Sequence, residues 1–184
     1  IVNGWQLSGI LTAGSTAPYD ATFSYQTNGS NVNLTGSPSY AARIKVVGDI
    51  GSGCSSNQYQ QFNPAGFQGP GYRSLGDESG TNLLKGCADH TIDLSVQRNI
   101  DVGGGRQVQF RLDGFNVFNA VIYNARTTAI QYNSPADPTT IRNNQYTADG
   151  TLNAARLTPA TAGAGAATGA QAMRSLQLQI RFTF

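Results

Sequence analysis

The end of the chain alternates strictly between apolar and polar residues. From Ser175 to Phe184 polar residues fill every second position, and the apolar positions between them are Leu176, Leu178, Ile180, Phe182 and Phe184. Because successive side chains of a β-strand point to opposite sides, this pattern predicts a strand with one apolar and one polar face. An aromatic residue at the end of the apolar row is typical of the aromatic girdle of a transmembrane barrel.

Three further segments show the same period of two. They are residues 5–13, 90–101 and 107–119. Residues 102–106 (VGGGR) predict a tight turn between the last two, since glycine adopts the positive φ angles that short hairpins need. The alternation changes phase at Gly114, which predicts a β-bulge. With residues 173–184 as the fourth, the sequence predicts four long antiparallel strands in an all-β fold.

Two very long connections separate these strands, over residues 14–89 and 120–172. Both are rich in Gly, Pro, Asn, Ser and Thr, and both are longer than a compact domain usually has unless they are functional. Outer-membrane barrels have short turns on the periplasmic side and long loops outside the cell. One glycine turn on one side and two long loops on the other therefore predict part of a transmembrane β-barrel with two extracellular loops.

The composition favours sheet and loop over helix. The 184 residues include 22 glycines but only two lysines and one glutamate, so exposed helix formers are scarce. The net charge of +2 comes from scattered cations without a basic stripe, which argues against nucleic acid as a partner. Because the chain begins at Ile1 without a targeting signal, we expect it to be a fragment of a longer protein.

Charged residues within the predicted strands divide between the two faces. Alternation places four of them on the polar face, where they would line the lumen of a barrel and could form a charge network: Asp93, Arg111, Asp113 and Arg181. Arg98 and Arg174 share the apolar face instead. Both lie near strand ends, where the headgroup region accommodates a cation at small cost.

The two cysteines, Cys54 and Cys87, lie in polar, glycine-containing surroundings. Neither belongs to an apolar row of the kind that buries a free thiol. In an exported protein we therefore expect a disulfide between them, although two unpaired thiols are the alternative.

Candidate catalytic and metal-binding residues are few. His90 follows Asp89, and with Cys54 they could make a Cys-His-Asp hydrolase, but no spacing brings the three together. One histidine and two cysteines without CxxC or HxxxH spacing do not predict a metal site. The sequence therefore predicts no catalytic residue, no metal and no cofactor.

Tyrosines in the two long segments are the candidate ligand-binding residues. Polar, aromatic-rich loops over a barrel mouth suit stacking on sugars or gripping peptides. The alternative is that these rings pack the loops against one another. The residues are Tyr59, Tyr72, Tyr123, Tyr132 and Tyr146.

Several stretches together resemble the C-terminal end of TonB-dependent outer-membrane receptors of the Oar-like type, which carry a carboxypeptidase-regulatory-like N-terminal domain. They are GWQLSGILTAGSTAPYD, DHTIDLSVQRNID, RQVQFRLDGFNVFNAVIYN and SLQLQIRFTF. The resemblance is most specific in FNVFN at residues 115–119 and in the aromatic-terminated last strand. It implies a plugged barrel of about 22 strands in the bacterial outer membrane that takes up nutrients with energy passed through TonB.

The length departs from that family, since four strands cannot close a barrel of this size. Outer-membrane lipid, the plug and the remaining strands would be partners, and TonB would contact a segment absent from these residues. Two other hypotheses stay open. One is a secreted all-β binding or surface-assembly module, whose strand edges would pair with neighbouring chains. The other is a small β-rich hydrolase that uses His90.

Overall fold

The structure of the chain, a computed structural model, describes residues 4–25, 34, 42–74 and 79–184. This part contains no α-helix, and its three 3₁₀ turns are Pro64–Gly66, Ala154–Arg156 and Pro159–Thr161. Its strands are, in order, β1 (Trp5–Gly14), β2 (Pro18–Tyr19), β3 (Thr22–Tyr25), β4 (Lys45–Val46), β5 (Phe67–Gln68), β6 (Leu84–Lys85), β7 (Asp89–Gly103), β8 (Arg106–Phe115), β9 (Tyr123–Arg126), β10 (Ala129–Ser134), β11 (Asp137–Ile141), β12 (Ala167–Ala170) and β13 (Ser175–Thr183).

The chain divides into two compact units. The first, which we call the strand unit, comprises Ile1–Ser15, Ala88–Ile122 and Gln171–Phe184. The second, the loop unit, comprises Thr16–Cys87 and Tyr123–Ala170. The long strands therefore belong to one unit, and most of the two long connections form the other.

The strand unit is a four-stranded antiparallel sheet in the order β1-β7-β8-β13. β7 is the longest strand, with 15 residues. It pairs with β1 from Asp89 to Arg98 and with β8 from Leu94 to Gly103, so its two neighbours are staggered along it. Such a stagger accompanies the tilt of strands in a closed barrel. In the described residues the sheet is open, with β1 and β13 at its edges. The prediction of an antiparallel all-β fold is confirmed.

The predicted bulge does not lie at Gly114, although the pairing slips by one residue after it: the backbone nitrogen of Val117 donates to the Ile92 carbonyl oxygen at 2.9 Å, whereas the register would place Asn116 opposite Ile92. Gly114 stays in register with Leu94 on one side and Leu176 on the other. The apolar phase changes because β8 ends at Phe115, after which Asn116 has a φ of 48° and leaves the strand conformation. The strand is therefore shorter than the predicted 107–119.

The loop unit has its own core, around which small sheets are arranged. β3 pairs in parallel with β10, and β10 pairs antiparallel with β11. Three two-stranded sheets, β2-β6, β4-β5 and β9-β12, complete it. Its most deeply buried large side chains are Tyr25, Phe62, Leu84, Ile130 and Tyr132. Because β3 and β10 are far apart in sequence, the two long connections fold together as one body.

A disulfide joins Cys54 to Cys87 within the loop unit, with a Cα–Cα distance of 4.9 Å. The pairing predicted from the sequence is confirmed. Gly53 has a φ of +94° and lies so close to β6 that a Cβ atom there would stand 2.7 Å from the backbone nitrogen of Lys85. Only glycine fits this position, which brings Cys54 beside the strand that leads to Cys87.

Candidate functional site

The sheet of the strand unit presents one continuous apolar face. Residues directly opposite each other in an antiparallel pair point to the same side of the sheet. Because apolar residues of neighbouring strands stand opposite each other, the apolar rows of all four strands lie on the same face. Leu178, for example, is 69% exposed. An apolar surface of this extent is typical of contact with a membrane or another protein. Its largest members are Trp5, Leu7, Leu11, Leu94, Val96, Ile100, Phe110, Leu112, Leu176, Leu178, Ile180 and Phe182.

The opposite face is polar and partly hydrogen-bonded across strands. The Gln97 side chain donates to the Gln6 side chain, and the Gln109 side-chain amide donates to the side-chain oxygen of Asn99 at 3.0 Å. Arg111 Nε lies 2.9 Å from Asp113 Oδ1. A row of amides and an ion pair on one side, with aliphatic side chains on the other, is the arrangement of a strand between lumen and lipid.

The predicted network of four charged residues is realised only in part. Of the four, the structure joins Arg111 to Asp113. Asp93 instead accepts a hydrogen bond from the backbone nitrogen of Asn116 at 2.8 Å, which holds the turn after β8. Arg181 stands opposite Gln109 in the register. Asp93 therefore stabilises the turn that ends β8. Alternation alone does not distinguish this role from participation in an ion pair.

Arg98 lies on the apolar face, as alternation predicts. Its register partner is Trp5, and the Arg98 guanidinium carbon lies 5.2 Å from the centre of the Trp5 ring. A cation over an indole ring is attracted by the negative face of the ring. Trp5 is the first residue of β1, so this pair marks one end of the apolar surface.

The residues FNVFN at positions 115–119 form a turn that closes β8. The Asn116 side chain donates to the Ala120 carbonyl oxygen at 2.9 Å and accepts from the Ala120 nitrogen at 2.9 Å. Asn119 shares the positive φ of Asn116, a conformation that asparagine tolerates better than most residues. Phe118 is left exposed at this end of the sheet, at the opposite end of β8 from the glycine hairpin.

Strand length agrees with the thickness of a membrane. β1, β8 and β13 contain 10, 10 and 9 residues. A transmembrane strand tilted by about 45° needs about 9 to 11 residues. The apolar face is therefore long enough to cross the hydrocarbon layer on each of these strands.

A comparison with protein families decides the nature of this sheet. The family model described as "Outer membrane beta barrel domain" matches residues 1–177. The chain belongs to this family. It is a protein of the bacterial outer membrane, and its two-faced sheet is part of an outer-membrane β-barrel domain. Comparison with curated proteins and with solved structures gives no match.

The five tyrosines predicted to bind a ligand occupy different environments in the loop unit. Tyr132 is fully buried in the core, where burial raises the pKa of its hydroxyl. Tyr72 is 62% exposed, and Tyr123 is half-buried in β9. Tyr59 and Tyr146 line one cavity of about 230 Å³. The structure thus brings two of the five together, and it places Tyr132 where no ligand reaches it.

Asn57 connects these two tyrosines, a role that the sequence pattern does not predict. Its side-chain amide donates to the Tyr146 hydroxyl at 2.9 Å, and its side-chain carbonyl accepts from the Tyr59 backbone nitrogen at 3.0 Å. An asparagine that bonds the backbone two residues later is a common turn device. The signal in the sequence is only SSNQY, which does not indicate that residue 146 lies nearby.

The turn after Tyr146 is held by a carboxylate. Asp149 accepts hydrogen bonds from the Thr147 hydroxyl, from the Thr151 hydroxyl at 2.9 Å and from the Thr151 nitrogen at 3.1 Å. These donors, Thr147 first, lower the pKa of Asp149 to about 2. Tyr146 itself forms a β-bridge with Leu152, so the turn sets the position of the tyrosine.

The hypothesis of a Cys-His-Asp hydrolase loses its nucleophile, because Cys54 is bonded to Cys87. Within the described part of the chain, no group of three or more His, Cys, Asp or Glu residues is placed to hold a metal ion. Over the same residues, no helix has the length and apolarity needed to cross a membrane.

Proposed function

We propose that this chain is the C-terminal β-barrel section of a TonB-dependent outer-membrane receptor that takes up a nutrient: an oligosaccharide, a peptide or a chelate. The observation that carries the proposal is the combination of a two-faced sheet with a separately folded loop unit. The sheet supplies the barrel wall, and the loop unit supplies an ordered surface for a ligand outside the cell. The role is transport, not catalysis.

The open edges of the sheet support the proposal that further strands complete the barrel. β1 and β13 each leave one row of backbone groups without a neighbouring strand in the described residues. In hydrocarbon each unsatisfied group costs several kcal/mol, so strands must close the sheet on itself. The partners proposed are therefore outer-membrane lipid, the remaining strands and plug of the receptor, and TonB through a segment outside these 184 residues. Nucleic acid is not among them.

The two ends of the sheet fit the two membrane surfaces. Trp5 with Arg98, and Phe182 with Phe184, lie toward the end that carries the glycine hairpin, whereas Phe118 lies toward the other. Aromatic residues at both ends match the two girdles of outer-membrane barrels. The hairpin would then face the periplasm, and both long connections would face the exterior.

A genetic test separates a TonB-dependent receptor from a passive barrel. The gene for the full-length protein is deleted in its native bacterium, with TonB present or removed, and the strains compete with their parents where nutrients are scarce. We expect the deletion to lower fitness when TonB is present and to add nothing when it is absent. An equal loss in both backgrounds would refute energised uptake.

A further inference from the structure

The cavity shared by Tyr59 and Tyr146 has the chemistry of a sugar site. Its polar lining residues are two tyrosines, a threonine and four residues with side-chain amides, including Asn63 and Asn144. Neither an acidic nor a basic side chain lines it. A charged chelate or an anionic ligand would therefore lose its hydration without a compensating charge, whereas a neutral polyol exchanges water for hydroxyl and amide partners.

The aromatic residues add a surface for the apolar side of a sugar ring. A tyrosine presents a ring for stacking and a hydroxyl for hydrogen bonding. The Tyr146 hydroxyl accepts a hydrogen bond from Asn57 at 2.9 Å, which leaves its own proton available to donate. The cavity of about 230 Å³ is slightly smaller than the roughly 300 to 1,000 Å³ of drug-sized ligand pockets. It suits a single sugar ring better than a peptide segment.

A second cavity extends the site. It measures about 150 Å³, and Tyr59 lines it as well as the first cavity. Gln58 and Thr158 contribute further polar groups. Arg156 also lines it, but its guanidinium donates to the carbonyl oxygens of Arg142 and Thr161. Two small cavities that share one lining tyrosine suit consecutive rings of a sugar chain.

The site is held in place before any ligand arrives. Gln145, which lines the larger cavity, is buried. Its side chain accepts a hydrogen bond from the Gly163 backbone nitrogen at 2.7 Å and donates one to the Arg156 carbonyl oxygen at 2.9 Å. Asn57 holds the backbone of Tyr59 and the hydroxyl of Tyr146. A preformed site loses less entropy on binding than a mobile one.

We infer that the loop unit binds a neutral oligosaccharide, with Tyr59 between two sugar subsites and Tyr146 in the larger of them. This inference rests on the proposed function, because it names the class of nutrient that the receptor takes up. It differs from the proposed function in its test, since binding to the purified receptor does not require TonB.

The test is calorimetric titration of the full-length receptor in detergent. The probes are hexasaccharides of cellulose, starch, xylan, mannan and chitin, with an oligogalacturonate as the anionic probe and a pool of short peptides. We expect at least one neutral hexasaccharide to bind with a Kd below about 1 mM. The oligogalacturonate and the peptides should bind more weakly or not at all.

Variants assign the binding to this site. Tyr59→Ala should raise the Kd by about tenfold through loss of stacking, and Tyr59→Phe and Tyr146→Phe by a few-fold, because they keep the ring. Tyr72→Ala removes an exposed tyrosine outside both cavities and should change nothing. Protease resistance of Thr16–Cys87 equal to that of the native protein shows that the loop unit of each variant has folded. The inference is overturned if no neutral hexasaccharide binds, if peptides or the anion bind better, or if Tyr59→Ala and both phenylalanine variants bind like the native receptor.

Discussion

Trp5 and Arg98 stand opposite each other in β1 and β7, with the Arg98 guanidinium 5.2 Å from the centre of the Trp5 ring. The pair lies on the apolar face, where a charge would be costly at the bilayer centre. At the end of β1 the arginine can reach the headgroups while the indole occupies the interface. Arg98 interrupts the row of apolar residues on this face, and together with Trp5 it anchors the strands at the membrane surface.

Replacing Trp5 should weaken the barrel measurably. Trp5→Ala removes the cation–π contact and the interfacial ring, and we expect the free energy of unfolding to fall by about 1 to 2 kcal/mol. Trp5→Phe keeps an aromatic ring and should lose less. Denaturant unfolding of the full-length barrel in lipid vesicles measures both, and equal stability of all three proteins would show that the contact has no energetic role.

The disulfide should stabilise the loop unit without holding the sheet together. The bridge closes a sequence separation of 33 residues, for which the chain-entropy model gives about 3.5 to 4 kcal/mol. A Cys54→Ser, Cys87→Ser double variant should be cleaved by protease within Thr16–Cys87 much faster than the native protein. Embedded β-strands should stay protected. Unchanged cleavage of the loop unit would argue that its core is sufficient without the bridge.

Asp149 should titrate at unusually low pH. Its pKa of about 2 lies below its ordinary value of 3.8 because threonine hydroxyls and a backbone nitrogen donate to the carboxylate. Its contribution to the turn is therefore complete above about pH 4 and is lost as the pH falls through about 2. Carbon-13 NMR of aspartate-labelled protein, with Asp149→Asn to assign the signal, gives the midpoint. A midpoint near 4 would mean that the turn does not form these bonds.

Gly53 should tolerate no side chain. A Cβ atom there would lie 2.7 Å from the Lys85 backbone, and the φ of +94° is itself strained for other residues. Gly53→Ala should cost the loop unit about 1 to 3 kcal/mol or more. Gly80→Ala is the matched control, since its Cβ would meet nothing within 4 Å. Equal thermal stability of the two variants would contradict the close approach of residue 53 to β6.

The sheet could be predicted because its faces differ in chemistry. In β13 every second residue from Leu176 to Phe182 is apolar, and this period alone defines both the strand and its orientation. The phase change at Gly114 does not locate the irregularity, because the end of a strand and a bulge alter the alternation in the same way. Asn116, with its positive φ, was the residue that distinguished them.

The loop unit could not be predicted in the same way. Its pairings join distant residues, as when Phe23 stands opposite Ile130, and they leave no local period. Tyr132 and Tyr146 have similar polar neighbours in sequence, yet one is in the core and the other lines a cavity. Their difference arises from long-range packing, so the sequence could propose the set of tyrosines but not select among them.

We expect one face of the sheet to contact lipid and the other to face the lumen of the barrel. Single cysteines at successive positions from 175 to 183 of the full-length protein can carry spin labels, because Cys54 and Cys87 are already bonded to each other. In vesicles, collision with lipid-soluble oxygen and with a water-soluble nickel complex should alternate with a period of two. Labels at Leu178 and Ile180 should favour oxygen, and labels at Gln177 and Gln179 the nickel complex. Uniform accessibility along β13 would show that its two faces do not meet different media.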